Sequence, residues 1–445
     1  MLLGGTLHPV AAQQPPADVA DEPDLPADEP EAPADEPETA ADEAGEPGDE
    51  EGEPEATERP RDAGAAQLRP NIGKKPYLVV PVDDDLKRER NNVMSMLRAQ
   101  KFESGEEDVF DAYYRRHFLP RWTQPSNLAS LPLLRRELRN NLLSGKSGPP
   151  HSRLNAIILD YMGKMASANV HPAARVNAML MIGELNEVEP VRAGDAPTPL
   201  RPALPVLLAT LEDDEQIDPV KVAALVGIVR HAQFGQLTPE STQAIQRAMV
   251  ELAGSTGAPA RSADGQAWMR AQAAKALGFL GTVGEDGVVP RLLLTLVADK
   301  QLDMLVRCHA AEALGRLDYS GSHGVNAAQA VAALGQLAAE AIRAETDAFD
   351  NDPESFSRRR IKASLVAVHR ALTGEEEEQS QGIGVLAGSS AEAKQAFTAT
   401  QAEVEKLLAA FDERQITDDE LVESLRTSLA RLEPAGSPET ARIER

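Results

Sequence analysis

Apolar residues recur along this chain at the spacing of an α-helix, and in four places they recur in the same order. Val306, Ala310, Ala313, Leu314 and Leu317 fall at i, i+4, i+7, i+8 and i+11, one stripe on a helix, while Arg307, Glu312 and Arg316 lie off it. The segment Val306–Leu317 superimposes on Met269–Leu280 at an offset of 37 residues. Moving back to Arg175 places Ala178, Met181, Ile182, Gly183 and Leu185 in the same slots. Val222, Leu225, Val226, Gly227 and Val229 form a weaker copy, with Pro219 where the others carry Arg. A period of this size predicts stacked supersecondary units. Gly183, Gly227, Gly278 and Gly315 stand inside the predicted helices, where glycine costs about 1 kcal/mol relative to alanine, so close approach of a neighbouring helix is expected at each.

A second apolar segment precedes each later copy. Leu200–Leu211, Ser241–Leu252 and Val288–Val297 lead into copies beginning near Asp218, Trp268 and Met304, so the predicted unit is a helical pair. Asp218-Pro219 and Thr238-Pro239 each read as a cap followed by proline at the first helical position. The glycines are 44, 51 and 37 residues apart, a variation that fits pairs with loop insertions such as residues 254–265. With Val-Arg-x-x-Ala-Ala-x-Ala-Leu-Gly near complete over Val306–Gly315, close over Met269–Gly278 and recognisable over Ala174–Gly183, the chain resembles the HEAT-repeat family in its short bacterial variants. The resemblance covers roughly residues 153–372. It implies an all-α fold, an α-solenoid of HEAT-like helix pairs, and a role in recognition, because HEAT families are mostly scaffolds and binding platforms.

Composition agrees with helix stacks, since 42% of the 445 residues are hydrophobic but only 4% are aromatic. The formal charge of −26 is concentrated: residues 18–62 hold 20 acidic residues against Arg59 and Arg61, a net of −18. Residues 1–70 are therefore expected to form a disordered, acidic, Pro-rich tail acting as a spacer. Val10-Ala11-Ala12 resembles the end of a secretory signal, but no basic region precedes it and the apolar run is short. A signal remnant over residues 1–12 and an ordinary flexible terminus are both open, and a start codon placed too late would explain the former. A secreted or periplasmic location is favoured over a cytoplasmic one. Deleting residues 1–69 is expected to leave the melting temperature unchanged; a fall of more than about 5 °C in a thermal melt rejects this.

Residues 71–150 read as a helical cap on the repeats of 151–373, with helices near 84–100, 107–118 and 128–143. Tyr113, Tyr114 and Trp122 stand there among Arg115, Arg116 and Arg121, followed by Arg135, Arg136 and Arg139. The cluster reads as aromatics closing the end of the array, or as a basic-aromatic surface for nucleic acid or a peptide onto which the acidic tail docks. Residues 374–389 read as a linker. Capping boxes at Ser389-Ser390-Ala391-Glu392 and Thr417-Asp418-Asp419-Glu420 open two helices of a closing hairpin and tail over 390–445.

Chemistry is sparse. No histidine stands at zinc-ligand spacing with a second His or a cysteine pair, Cys308 is the only cysteine, and Cys308 and His309 point about 100° apart on a helix. The glycines of 382–388 lack the strand before and the Lys-Ser/Thr after that a phosphate loop needs. Neither a metal nor a cofactor is expected, no apolar run is long enough to span a membrane, and a monomer is expected. The reading is a non-catalytic scaffold that binds an unidentified protein through a concave face made by the second helices. Its candidate residues are Arg175, Asn177, Glu184, Arg270, Lys275, Arg307, Glu312 and Arg316, with Tyr113, Tyr114, Arg115, Arg116 and Trp122 on the cap. Arg175, Arg270 and Arg307 repeat in register, which predicts a structural ladder ahead of a ligand-reading row. The alternatives are an accessory role in attaching a cofactor or chromophore to a client enzyme, as some short HEAT families have, and nucleic-acid binding through residues 115–139, which the net negative charge disfavours.

Overall fold

The computed structural model describes residues 76–432, apart from 193, 258–260, 322–323, 376–379, 389 and 413–415. The acidic tail, the signal remnant and the end of the chain beyond residue 432 lie outside the described residues. Among those described the protein is all-helical, with one short antiparallel pair, β1 (Asn186–Val188) and β2 (Thr198–Pro199).

An extended lead-in is pinned by Leu78 N–H donating to the Asn169 carbonyl at 2.8 Å and Val80 N–H donating to Thr123 Oγ1 at 2.9 Å. The cap follows as α1 (Arg90–Ala99), α2 (Glu106–Ala112) and α3 (Leu131–Gly145), with α2 widening into a π-helical turn over Tyr113–Phe118. Phe110, Tyr114, Phe118 and Trp122 are fully buried, and the Phe110 and Tyr114 rings pack tilted, their centres 4.9 Å apart. These rings form the core of the cap.

Five helical pairs come next. They are α4 (Pro149–Ser167) with α5 (Pro172–Glu184), α6 (Ala203–Glu212) with α7 (Asp218–Phe234), α8 (Pro239–Gly254) with α9 (Ala263–Leu280), α10 (Val288–Ala298) with α11 (Met304–Arg316), and α12 (Ala327–Asn351) with α13 (Arg358–Thr373). The second helices α5, α7, α9, α11 and α13 lie side by side in chain order, each packed on its own first helix, whereas the first helices meet one another at few points. The glycines explain the close stacking. A Cβ on Gly183 would stand 2.9 Å from Gly227 Cα, one on Gly278 2.8 Å from Ala313 Cα, and one on Gly315 2.8 Å from Ala371 Cα. Glycine thus meets a small residue of the next helix across a main-chain contact.

That rule corrects the alignment of the weak copy. Val220, Ala224, Leu225, Gly227, Ile228, Val229 and His231 are the buried positions of α7 that match Val306, Ala310, Ala311, Ala313, Leu314, Gly315 and Leu317, so the sequence alignment of this copy is two residues out. Val226, aligned with the buried Ile182, is instead 43% exposed. Gly227 is the receiving residue of a contact, and Lys221, not Pro219, takes the Arg slot. Asp218 does not cap α7 either; its carboxylate accepts two 2.9 Å hydrogen bonds from Arg261. Thr238 does cap α8, accepting from Ser241 N–H.

His231 stands where the other copies carry an aliphatic residue. It is 1% exposed and its Nε2 has no hydrogen-bond partner. Burial, then the charge of Arg230, push its imidazolium down to about 4. Because the folded value lies below the ordinary 6.5, the stability it contributes is present above about pH 6.5 and drains away as pH falls toward 4, by roughly 3 kcal/mol at the limit. His231→Leu is expected to remove that part of the acid sensitivity. Urea midpoints of the two proteins at pH 7 and pH 4.5 decide it, and parallel losses reject it.

After α13 the short α14 (Gly384–Ala387) leads to α15 (Ala391–Asp412) and α16 (Asp418–Leu432), which pack on α12 and α13. Ser390 Oγ accepts from Ala393 N–H, a one-sided cap one residue beyond the predicted box of Ser389 to Glu392, because position 393 is alanine and cannot return the bond; Thr417 and Glu420 do bond reciprocally at 2.9 and 3.3 Å, as a capping box requires. The described part of 374–389 is not a free linker. Gly382 N–H donates to the Gly315 carbonyl, Ile383 N–H to the Ala371 carbonyl, and Ile383 is buried. The segment satisfies carbonyls at the C-terminal ends of α11 and α13, which helices leave unpaired.

Candidate functional site

The predicted residues separate into two sets. Arg175, Arg270 and Arg307 turn away from the outer face of the second helices: their Nε groups donate to the carbonyls of Ala166, Ala253 and Val297 at 2.9, 2.8 and 2.9 Å. Each acceptor lies in the last turn of the first helix of the same pair, so the arginine caps its partner helix and completes an orphan carbonyl. Arg307 is only 3% exposed and also pairs with Glu340 at 2.7 Å. As partner-binding residues these three are corrected. Tyr113, Tyr114 and Trp122 are corrected likewise, being buried in the cap.

The cap arginines are answered from within the chain. Arg115 meets Asp160 at 2.8 Å, Arg116 meets Asp83 at 2.6 Å, Arg121 meets Glu137 at 3.6 Å, Arg135 meets Glu184 at 3.3 Å, and Arg139 meets Glu189 at 3.2 Å. A patch with a formal excess of arginine is thus largely neutralised, and the expectation that the tail docks here loses its electrostatic basis. The partnering carboxylates lie up to 50 residues away in sequence, which is why local charge counting missed them.

Asn177, Glu184, Lys275, Glu312 and Arg316 do reach the outer face. In the corrected register one row runs Leu180, Val226, Lys275, Glu312, Arg370 and the next runs Glu184, Arg230, Phe279, Arg316. Neighbours in these rows touch. Arg316 lies 5.1 Å from the Phe279 ring centre, Lys275 lies 5.6 Å from it, and Arg370 meets Glu312 at 3.3 Å. Burial pushes the Glu312 carboxyl up, but the His309 hydrogen bond and the charges of His309, Arg316 and Arg370 outweigh it and hold it below the usual range. The face combines apolar and charged side chains in half-buried, preset positions.

A buried polar node lies at the α5 end of this face, and the sequence did not reveal it. Glu189, 3% exposed, receives Arg139, the Asn186 amide at 2.6 Å and His151 Nε2 at 3.4 Å. Asn155 donates to the Asn186 carbonyl at 2.8 Å, and Arg230 donates to the Gly183 carbonyl at 3.1 Å and to Asn186 Oδ1. Burial raises the Glu189 carboxyl, yet His151, Arg139 and Asn186 together hold it below the usual range. Burial and the charge of Arg139 push Arg230 down to about 10, still cationic at neutral pH. The node fastens the β1–β2 excursion to α3, α4 and α7. Its groups mostly face one another; Asn155 Oδ1 is buried without a hydrogen-bond partner.

No protein-family model matches this chain. No curated protein matches it either. Function therefore rests on the geometry. Among the described residues no group of His, Cys, Asp and Glu is placed to hold a metal ion, and no helix is long and apolar enough to cross a membrane.

Proposed function

We propose that this chain is a HEAT-like α-solenoid that serves as a non-catalytic protein-interaction scaffold, its partner seated on a concave face formed by the second helices. One observation carries the reading. The second helices touch through their main chains while the first helices meet one another more sparsely, and an array packed more closely along one row bends toward that row. The rows from Leu180 to Arg370 and from Glu184 to Arg316 then line the inner surface, as the recognition faces of such arrays do.

The accessory role in cofactor attachment finds less support, because burial pushes the Cys308 thiol up to about 11 and makes it a poor nucleophile at neutral pH. Nucleic-acid binding through residues 115–139 is disfavoured by the carboxylates that already occupy those arginines. A photo-crosslinking residue placed at 226, 275 or 312 of the full chain is expected to capture a discrete partner from native extract. The same residue at 243 or 291, exposed on first helices, should not. Equal capture from both sets of positions rejects the assignment.

A further inference from the structure

Three of the four junctions between neighbouring second helices share two devices. One is the glycine contact, Gly183 on Gly227, Gly278 on Ala313 and Gly315 on Ala371. The other is a side chain that reaches back to the preceding helix: Arg230 of α7 to the Gly183 carbonyl at 3.1 Å, Arg316 of α11 over the Phe279 ring at 5.1 Å, and Arg370 of α13 to Glu312 at 3.3 Å. The junction of α7 with α9 has neither. In the corrected register Val229 holds the slot of Gly183, Gly278 and Gly315, and Phe279 holds the slot of Arg230 and Arg316.

Both replacements loosen the junction. The distance between packed helices follows the side chains at their contact, so an isopropyl group keeps apart main chains that glycine lets meet. A phenyl ring has no donor to return to α7, and Phe234 at the end of that helix stays 36% exposed. An open cavity of about 430 Å³ lies at the same junction, lined by Leu211 of α6, Lys221 of α7, Leu252 of α8 and Met269 of α9. Among the described residues Lys221 donates to no acceptor there. The polar side chains tie the two pairs together at the opposite end, where Asp218, in the first turn of α7, accepts both 2.9 Å bonds from Arg261 just ahead of α9.

We propose that this junction is a hinge, dividing the array into a block from α1 to α7 and a block from α8 to α16 that turn relative to each other about the Asp218–Arg261 pair. Stacked units touch mainly their neighbours, so stiffness is set junction by junction and the least braced one takes the bend. The hinge falls where the outer face changes character. Leu180 and Val226 stand on one side of it, Lys275, Glu312 and Arg370 on the other. Rotation swings an apolar half of the face against a charged half, and a partner that touches both halves selects one angle. The hinge depends on helix contacts alone and holds whether or not the face captures a partner.

Pulsed electron paramagnetic resonance on the full chain tests it, with spin labels on cysteine pairs placed at exposed positions in a Cys308→Ala background. Labels at 209 and 295 span the hinge, labels at 140 and 209 lie within the first block, and labels at 295 and 394 lie within the second. The spanning pair is expected to give a distance distribution about twice as broad as either control. Asp218→Asn, which removes the pivot, should broaden it further. Val229→Gly, which supplies the missing glycine, should narrow it toward the controls and leave both control pairs unchanged. A spanning distribution no broader than the controls overturns the hinge, and that comparison is made on the parent core, whether or not either variant folds. A broad distribution that neither variant alters overturns it as well, because the motion then lies at another junction.

Discussion

Leu314→Asp is expected to split the melting of this protein into two transitions or to unfold it. Leu314 has no exposed surface, and its helix packs on α9, α10 and α13, so a carboxylate there must be buried without a partner or expel its neighbours. Loss of the leucine alone costs roughly 2–5 kcal/mol, and burying a charge adds to it, against a total stability of about 5–15 kcal/mol for a domain. In an array whose units contact mainly their neighbours the damage is local, so α11 to α16 should melt well before α1 to α9. Calorimetry and limited proteolysis report the split. Glu285→Lys, at an exposed position, provides the control. A single unshifted transition in Leu314→Asp means that the repeat register is wrong.

Removing the anion of the buried node should do comparable damage by the opposite route. Glu189→Ala leaves Arg139, Asn186 and His151 facing a cavity, and breaking one side of a buried charge pair costs about 3–5 kcal/mol. Glu189→Gln, which keeps shape and part of the hydrogen bonding, should cost less. Because the folded carboxyl lies below its ordinary value, its contribution is present above the unfolded pKa of about 4.3 and vanishes as pH falls through the folded one. The gap between parent and Glu189→Ala in urea midpoint should accordingly close in acid. A loss below about 1 kcal/mol at pH 7 shows that water satisfies the node.

What the sequence showed and concealed follows from the range of the forces involved. Helix pairs and the caps at Thr238 and Thr417 are legible because they depend on residues a few positions apart, and the contacts at Gly183, Gly278 and Gly315 because the repeat carries glycine into the same helical slot each time. The register of α7 was misread because glycine was taken to mark one fixed slot, when either side of a main-chain contact can carry it. The pairing of Arg115, Arg116 and Arg139, and the bonds that tie the node around Glu189 to α3 and α4, depend on residues 31–50 positions apart, and no local pattern announces them. Periodicity alone placed the polar positions 177, 184, 275, 312 and 316 on the outer side of their helices.

Backbone contact along one row and loose contact along the other also determine how the molecule yields to force. Residues that touch main chain to main chain cannot be pressed closer, so the line through Gly183–Gly227, Gly278–Ala313 and Gly315–Ala371 acts as a fulcrum. Flexing about this line would then open or close spaces between first helices, such as the one of about 840 Å³ between α8 and the start of α10. Closing that gap needs only side chains such as Gln246, Arg247 and Val250 to rearrange. If the scaffold reading proposed above holds, the array is expected to resist sliding of one pair past the next and to bend about this line, so that it could adjust to a partner without unfolding a helix.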